Sequence, residues 1–145
     1  MTRIGLLSDT HNFFDPQFKE LFKNVDEIWH AGDIGDINVL DELRKIKPVR
    51  AVYGNVDNSR IRNELQEHLR FKCDDVDVWI THIGGYPKKY SHLIKRELFK
   101  NPPRLLICGH SHILKVIFDN IDGLKPYGLL LGSNFKNEAF TLLKR

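Results

Sequence analysis

Short apolar runs recur along the chain at near-regular intervals: "IGLLS" (4–8), "EIWHAG" (27–32), "VRAVYG" (49–54), "VDVWITHI" (76–83), "RLLICG" (104–109) and "LKVIFD" (114–119). The first and fifth are almost unbroken Ile and Leu, the pattern of strands buried on both faces. Helical segments lie between them. "DPQFKELFKNV" starts with Asp15 as expected N-cap and Pro16 in the first helical position, and places Phe18, Leu21, Phe22 and Val25 on one face. "NVLDELRKIK" stops before Pro48, and "SHLIKRELFKN" stops before Pro102 and Pro103. In "FKCDDVDVWI" two runs meet at Asp74–Asp75, which predicts a hairpin. After residue 112 the helical pattern ceases, and turns are expected at Asp122–Gly123 and Gly132–Ser133. The first half therefore reads βαβα and the tail mostly β. The expected class is α/β, a two-layer mixed β-sheet sandwich flanked by helices.

With 145 residues the chain makes one domain, spanning 1–145, and buries roughly two-thirds of its unfolded surface. The 22 basic and 19 acidic residues nearly balance, which gives no electrostatic footprint for binding a nucleic-acid duplex. No run reaches the roughly eighteen apolar residues of a membrane span, and Asp9 and His11 interrupt the N-terminus where a signal peptide needs an apolar core. Two cysteines outside any CxxC suit a reducing compartment, so a cytoplasmic protein is expected.

All but one of these runs end in residues able to hold a cation. "SDTH" supplies Asp9 and His11, "HAGD" Asp33, "YGNVD" Asn55 and Asp57, "ITHIGG" His82, and "GHSH" His110 and His112. Loops leaving the carboxyl ends of parallel strands share one edge. Five such loops would gather two Asp, one Asn and four His. The i, i+2 spacing of Asp9/His11 and His110/His112 predicts an extended backbone that points each pair the same way. Gly32, Gly54, Gly84 and Gly109 flank these positions. Taken singly, each motif is ordinary turn chemistry; five at one edge are not. Imidazole, carboxylate and carboxamide without thiolate suit Mn, Fe, Zn or Ni. Seven ligands exceed one tetrahedral ion and point to two metals about 3.5–4 Å apart, sharing a carboxylate and a water.

The ordered set D-x-H, G-D, G-N-x-D, H and G-H-x-H resembles that of the calcineurin-like metallophosphoesterases, in the small cap-less YfcE-like phosphodiesterase branch to which Vps29 of the retromer is also similar. The resemblance covers residues 1 to about 118. It implies an αββα sandwich and a phosphoesterase, most of all a phosphodiesterase, in which a metal-bridging hydroxide attacks phosphorus in line. It places Asp9, His11, Asp33 and His112 around one metal, and Asp33, Asn55, His82 and His110 around the other. Asp33 is the bridge, and Asp33, Asn55 and His82 form the catalytic set. Two divalent ions are implied, Mn²⁺ first, with Ni²⁺, Fe²⁺, Zn²⁺ or Mg²⁺ as substitutes. Two such cations, against two carboxylates and a hydroxide, leave a net charge of about +1 for an anionic phosphate. Neutral Asn55 preserves that surplus. The partner expected is a small phosphoester, contacted by Asn55 and, at the mouth, by Tyr86, Lys88 and Lys89.

Two departures stand out. Many relatives carry His within the third motif as proton donor to the leaving group, but here "GNVD" places Val56 there. The usual "NPG" loop is absent, and residues after about 120 are atypical or shortened, so an uncovered sheet edge would favour a homodimer. A Vps29-like scaffold with faded catalysis is the alternative. Among the other polar residues, His30 is expected as a hydrogen-bonded core group and His68 as exposed. Asp57 should fix the Asn55 loop, His92 opens a helix near the site, and Cys108 and Cys73 read as packing and hairpin residues.

Overall fold

The computed structural model describes residues 2–113, 115–119, 127–131 and 140–142. Its elements run β1 (Ile4–Leu7), α1 (Phe18–Leu21), β2 (Glu27–His30), α2 (Ile37–Ile46), β3 (Val49–Ala51), α3 (Ser59–Glu64), β4 (His68–Cys73), β5 (Val76–Thr81), β6 (Gly85–Tyr86), β7 (Lys89–Tyr90), α4 (His92–Lys100), β8 (Leu105–Cys108), β9 (Lys115–Asp119), β10 (Tyr127–Leu131) and β11 (Phe140–Leu142). One sheet has the order β11-β1-β2-β3, with β1, β2 and β3 parallel and β11 antiparallel to β1. The other has the order β4-β5-β8-β10-β9, with β5, β8 and β10 parallel and β4 and β9 antiparallel at the edges.

Strand alternation sorts the side chains into three cores. Ile4 and Leu6 of β1, Trp29 of β2, Val78 and Ile80 of β5 and Ile107 of β8 fill the space between the sheets. Trp29 meets Phe71 of the other sheet edge-on, with ring centroids 5.1 Å apart. Leu7 and Ile28 face outward against Phe18, Phe22, Leu40, Leu43 and Ile61 of the helical side. On the opposite surface Trp79, Leu106 and Cys108 pack on Ile94 and Leu98 of α4. The layers are helix, sheet, sheet, helix, as expected. Cys108 is fully buried there, and the apolar surroundings push its thiol pKa up.

Helix ends follow local chemistry. The Asp36 carboxylate accepts the Asn38 N–H at 2.8 Å and caps α2, whose last residue stands two before Pro48 because proline disfavours helical geometry at Lys47. Ser91 caps α4 by accepting from Leu93 N–H at 3.3 Å. The expected first helix shortens to Phe18–Leu21: the Asp15 carboxylate takes the Gln17 N–H at 2.8 Å, closing a turn before the helix. Gln17, not Asp15, is the capping position. Phe18, Phe22 and Val25 are nevertheless buried, while Leu21 is turned toward solvent. Helix α3 and the small hairpin β6–β7 carry too few apolar residues to announce themselves in the sequence. The hairpin at Asp74–Asp75 forms as expected, with Cys73 opposite Val76 and Asp74 at φ 49°.

Tail strands β9, β10 and β11 extend both sheets within the chain, and β11 pairs along β1. The expected turns at Asp122–Gly123 and Gly132–Ser133 lie outside the described residues. Among the described residues no helix is long and apolar enough to cross a membrane.

Candidate metal centre

The loops after β1, β2, β3, β5 and β8 do converge, because these strands are parallel within their sheets and the sheets stack with matching ends. Asp9, His11 and His112 form one group of donors, and Asp33, His82 and His110 a second; within each group one ligand atom per residue lies within 4.8 Å of the others. The two groups abut. Asp33 Oδ2 lies 3.1 Å from His82 Nε2 and 3.9 Å from His11 Nε2, so one oxygen faces both. Asp9 Oδ1 lies 3.3 Å from His112 Nε2 and 3.9 Å from His82 Nε2.

The local backbone differs from expectation. Asp9, His11, Asp33, His110 and His112 have φ of 57°, 46°, 55°, 67° and 52°, in the left-handed region rather than extended. Asp9 and His11 still bring ligand atoms to one donor group, whereas His110 and His112 serve different groups. Such residues are strained by about 1 kcal/mol or more apiece, and they persist where surrounding structure fixes them. Here the fixing is visible. Asp9 N–H donates to Gly32 carbonyl at 2.9 Å and His11 N–H to Asp33 carbonyl at 3.0 Å, tying the β1 loop to the β2 loop. Two glycines are required by close approach. A Cβ on Gly54 would stand 2.1 Å from Asp33 Oδ1, and one on Gly109 would stand 2.6 Å from the Ala31 carbonyl.

Both carboxylates are buried and held from behind. The Ser8 hydroxyl donates to Asp9 Oδ2, and His110 N–H donates to both Asp9 oxygens at 3.2 Å. Asp33 Oδ1 accepts Val56 N–H at 3.0 Å, leaving Oδ2 for the donor cluster. Burial alone would raise the Asp33 pKa, but the neighbouring His82, the Val56 N–H and His11 bring it below the usual carboxylate value.

His82 provides the test of whether a cation fits. Its Nδ1 lies 2.7 Å from the Ala31 carbonyl, which can only accept, so Nδ1 carries the hydrogen. Nε2 then presents a lone pair; it is buried and has no hydrogen-bond partner. Opposite it, at 3.1 Å, is another electron-pair donor, Asp33 Oδ2. Two lone pairs at that distance need a positive species between them. A proton can serve: burial lowers the His82 pKa, yet Asp33 and the Ala31 carbonyl more than offset this and raise it. A divalent cation bound by the same atoms meets the need more fully. The residues present fit a metal, and thiolate takes no part.

Asn55 sits on the loop between Gly54 and Val56, both of which meet Asp33, and it is exposed. Asp57 acts as expected: Gly35 N–H and Gly54 N–H each donate to one of its oxygens at 2.7 Å, so it clasps the β2 and β3 loops together. Tyr86 and Lys88 lie on the hairpin after His82, Tyr86 in β6 and Lys88 in the turn at φ 69°; with Lys89 they are exposed. His92 is exposed at the start of α4. His68 corrects the expectation of exposure: it is half-buried in β4, its Nδ1 2.9 Å from Thr81 Oγ1, because the strand turns it onto Trp79.

Sequence reasoning missed Arg62. From α3 its Nε donates to the Asp57 carbonyl at 2.7 Å, and Nη2 donates to the Gly54 and Asn55 carbonyls at 3.1 Å. The available signal was Asn58, which caps α3 by accepting Ile61 N–H at 3.2 Å and places Ile61 inward and Arg62 toward the loop.

His30 is a core group, as expected. Gly32 N–H donates to its Nδ1 at 3.2 Å, so Nε2 bears the hydrogen and donates to Thr10 Oγ1 at 3.0 Å; Thr10 in turn donates to the Ile34 carbonyl at 3.2 Å. Burial, with His82 nearby, lowers its pKa to about 3 from 6.5. The folded form binds its proton later than the unfolded form, so stability is lost as pH falls from about 6.5 toward 3. Denaturation of wild type and His30→Asn at pH 7 and 5 should show the wild type losing about 2 kcal/mol more across that interval. Equal losses would mean that His30 is protonated in the fold.

The family model for the calcineurin-like phosphoesterase superfamily domain matches residues 2–127. The chain belongs to that family. It is 34% identical over 117 residues to a probable metallophosphoesterase of Methanocaldococcus jannaschii, an alignment covering 75% of this chain and 58% of the relative. The chain spans between 58% and 66% of the length of the curated relatives it matches. Among solved structures, Vps29 of Chaetomium thermophilum superposes with a TM-score of 0.71 at 18% identity, covering 92% of this chain and 70% of that one. A structure described as a novel archaeal phosphodiesterase gives 0.63 at 24% identity, covering 90% and 84%. At these identities the likeness is one of fold.

Proposed function

We propose that this chain is a single-domain, two-metal phosphoesterase acting by preference on phosphodiesters, with Mn²⁺ as the favoured ion. The carrying observation is the pair of abutting donor groups, in which the buried, unpartnered His82 Nε2 faces Asp33 Oδ2 at 3.1 Å. Asp9, His11 and His112 would hold one ion; His82, His110 and Asn55 the other; and Asp33 would serve both. When bound, such ions supply Lewis acidity toward phosphoryl oxygens and an activated water.

The chain's own residues determine the rest. The Ala31 carbonyl fixes the His82 tautomer, as ligand histidines require. Asn55, neutral and exposed, is the position for contacting a phosphoryl oxygen without adding negative charge. Val56 offers no proton to a departing alcohol, so the leaving group must depart as a stable anion. Tyr86 and Lys88, exposed on the β6–β7 hairpin, would meet the outer part of a substrate.

The test is a panel of diesters and monoesters with Mn²⁺, Ni²⁺, Mg²⁺ and Zn²⁺ against the chelated protein. Aryl diesters should turn over well and alkyl monoesters slowly. Rapid hydrolysis of a sugar phosphate would contradict the role given to Val56, and silence under every condition would leave a scaffold. Asn55→Asp should keep its metal and raise KM about tenfold or more by cancelling the positive surplus; an unchanged KM would remove Asn55 from the substrate site.

A further inference from the structure

The three most exposed large apolar side chains among the described residues are Phe13 at 56%, Ile113 at 55% and Val56 at 51%. Scattered singly, such residues need no explanation. These are not scattered. Phe13 follows His11 by two residues, Val56 is next to Asn55, and Ile113 is next to His112. Each stands on a different loop, and the three loops meet. His11 Nε2 lies 3.4 Å from His112 Nε2 and 3.9 Å from Asp33 Oδ2, and the other Asp33 oxygen accepts Val56 N–H at 3.0 Å.

The Phe13–Phe14 pair sharpens the contrast. Phe14 packs on the helical core, edge-on to Phe18 at 5.6 Å, whereas Phe13 is left outside with its N–H donated to the Thr10 carbonyl at 2.9 Å. A loop that only had to position His11 has no use for a second phenyl ring in water. Apolar surface around a polar, charge-binding centre is the composition of a small-molecule site: a few polar groups fix one end of the ligand and apolar walls take the remainder.

We propose that Phe13, Val56 and Ile113 form an apolar rim that binds the substrate arm remaining on phosphorus, making the preferred class a phosphodiester whose non-departing ester group is a planar aromatic. This inference rests on the phosphoesterase reading above. A polyol or short alkyl arm would leave the rim wet, while an aromatic arm removes both its own apolar surface and that of the rim from water. The rim acts on the arm, and the donor cluster acts on the phosphoryl group.

Methylphosphonate and phenylphosphonate separate these contributions. Both present a phosphonate to the donor cluster, neither has an ester bond to break, and only one carries a ring. Calorimetry on the Mn²⁺-loaded protein should find phenylphosphonate bound about tenfold more tightly. In the double variant Phe13→Ser with Ile113→Ser that ratio should fall below about twofold. Methyl 4-nitrophenyl phosphate and phenyl 4-nitrophenyl phosphate, which share a leaving group, should show the same preference in kcat/KM. Equal phosphonate affinities in the wild type, with both esters hydrolysed alike, overturn the rim and leave the phosphoesterase standing. A ratio unchanged in the double variant also overturns it. If neither ester is turned over, the phosphoesterase reading fails and the rim's role in substrate choice fails with it. Equal affinities together with self-association that the double variant abolishes would make the rim a contact between copies, against the proposal.

Discussion

Asp33→Asn should lower turnover by about a thousandfold or more while leaving the metal-free protein folded and about as stable as the wild type. The two halves of that expectation come from the same atoms. Asp33 Oδ1 accepts Val56 N–H at 3.0 Å, and an Asn carbonyl oxygen in that place accepts it equally well. The left-handed φ of 55° is one that Asn tolerates. Oδ2, by contrast, lies 3.1 Å from the unpartnered His82 Nε2, and an amide N–H there would donate directly to that lone pair. A buried acceptor gains its hydrogen bond, worth about 1 kcal/mol. The same exchange removes a negative charge and an electron pair that faces both donor groups. Calorimetric titration with Mn²⁺ should then show weakened binding in both groups, and the rise in melting temperature that the ion gives the wild type should shrink or vanish. Activity lost together with a lower metal-free melting temperature would mean that Asp33 is chiefly structural. Full metal-linked stabilisation in the variant would remove it from the shared position altogether.

The legible part of this molecule was the part fixed by short-range pattern. Unbroken Ile–Leu runs gave the buried strands, and Pro48 and Pro102 marked where helices stop. Four of the five strand-end motifs supply the Asp and His side chains that the fold gathers, since parallel strands align their carboxyl ends. What stayed hidden depends on long-range contacts or on backbone geometry. The i, i+2 pairs looked extended, yet hydrogen bonds such as His11 N–H to the Asp33 carbonyl hold them left-handed, a conformation that Asp and His tolerate but that their propensity alone does not select. Helix α3 is six residues long with one buried side chain, Ile61, too little periodicity to detect. Arg62 was hidden with it. His68 looked exposed because its neighbours in sequence are polar; its burial is decided by Thr81 and Trp79 on the next strand. The apolar rim was likewise invisible, because Phe13 and Phe14 are indistinguishable until the fold buries one of them.

Asp57→Ala should be the most damaging substitution outside the donor set, lowering stability by about 3 kcal/mol and turnover by about 10- to 100-fold. Asp57 is 3% exposed, and its two oxygens accept the Gly35 and Gly54 N–H groups at 2.7 Å. Removing the carboxylate strands the buried Gly54 N–H and takes the partner from the half-buried Gly35 N–H, at about 1–3 kcal/mol each, against a domain total of about 5–15 kcal/mol. The loss of activity follows from what those donors hold. Gly54 packs against Asp33 and precedes Asn55, so a relaxed loop displaces a shared ligand and its neighbour together. Asp57→Asn does not rescue the site, because its amide must point an N–H at one of the two backbone N–H groups. Arg62→Met offers the calibration. It removes the bonds to the Gly54, Asn55 and Asp57 carbonyls from an exposed side chain, and water can replace them, so about 1 kcal/mol is expected. Urea denaturation of the three variants should therefore rank Asp57→Ala and Asp57→Asn well below Arg62→Met. A ranking in which Arg62→Met is the worst would mean that the loop is held from its carbonyl side, and that the Asp57 clasp merely follows.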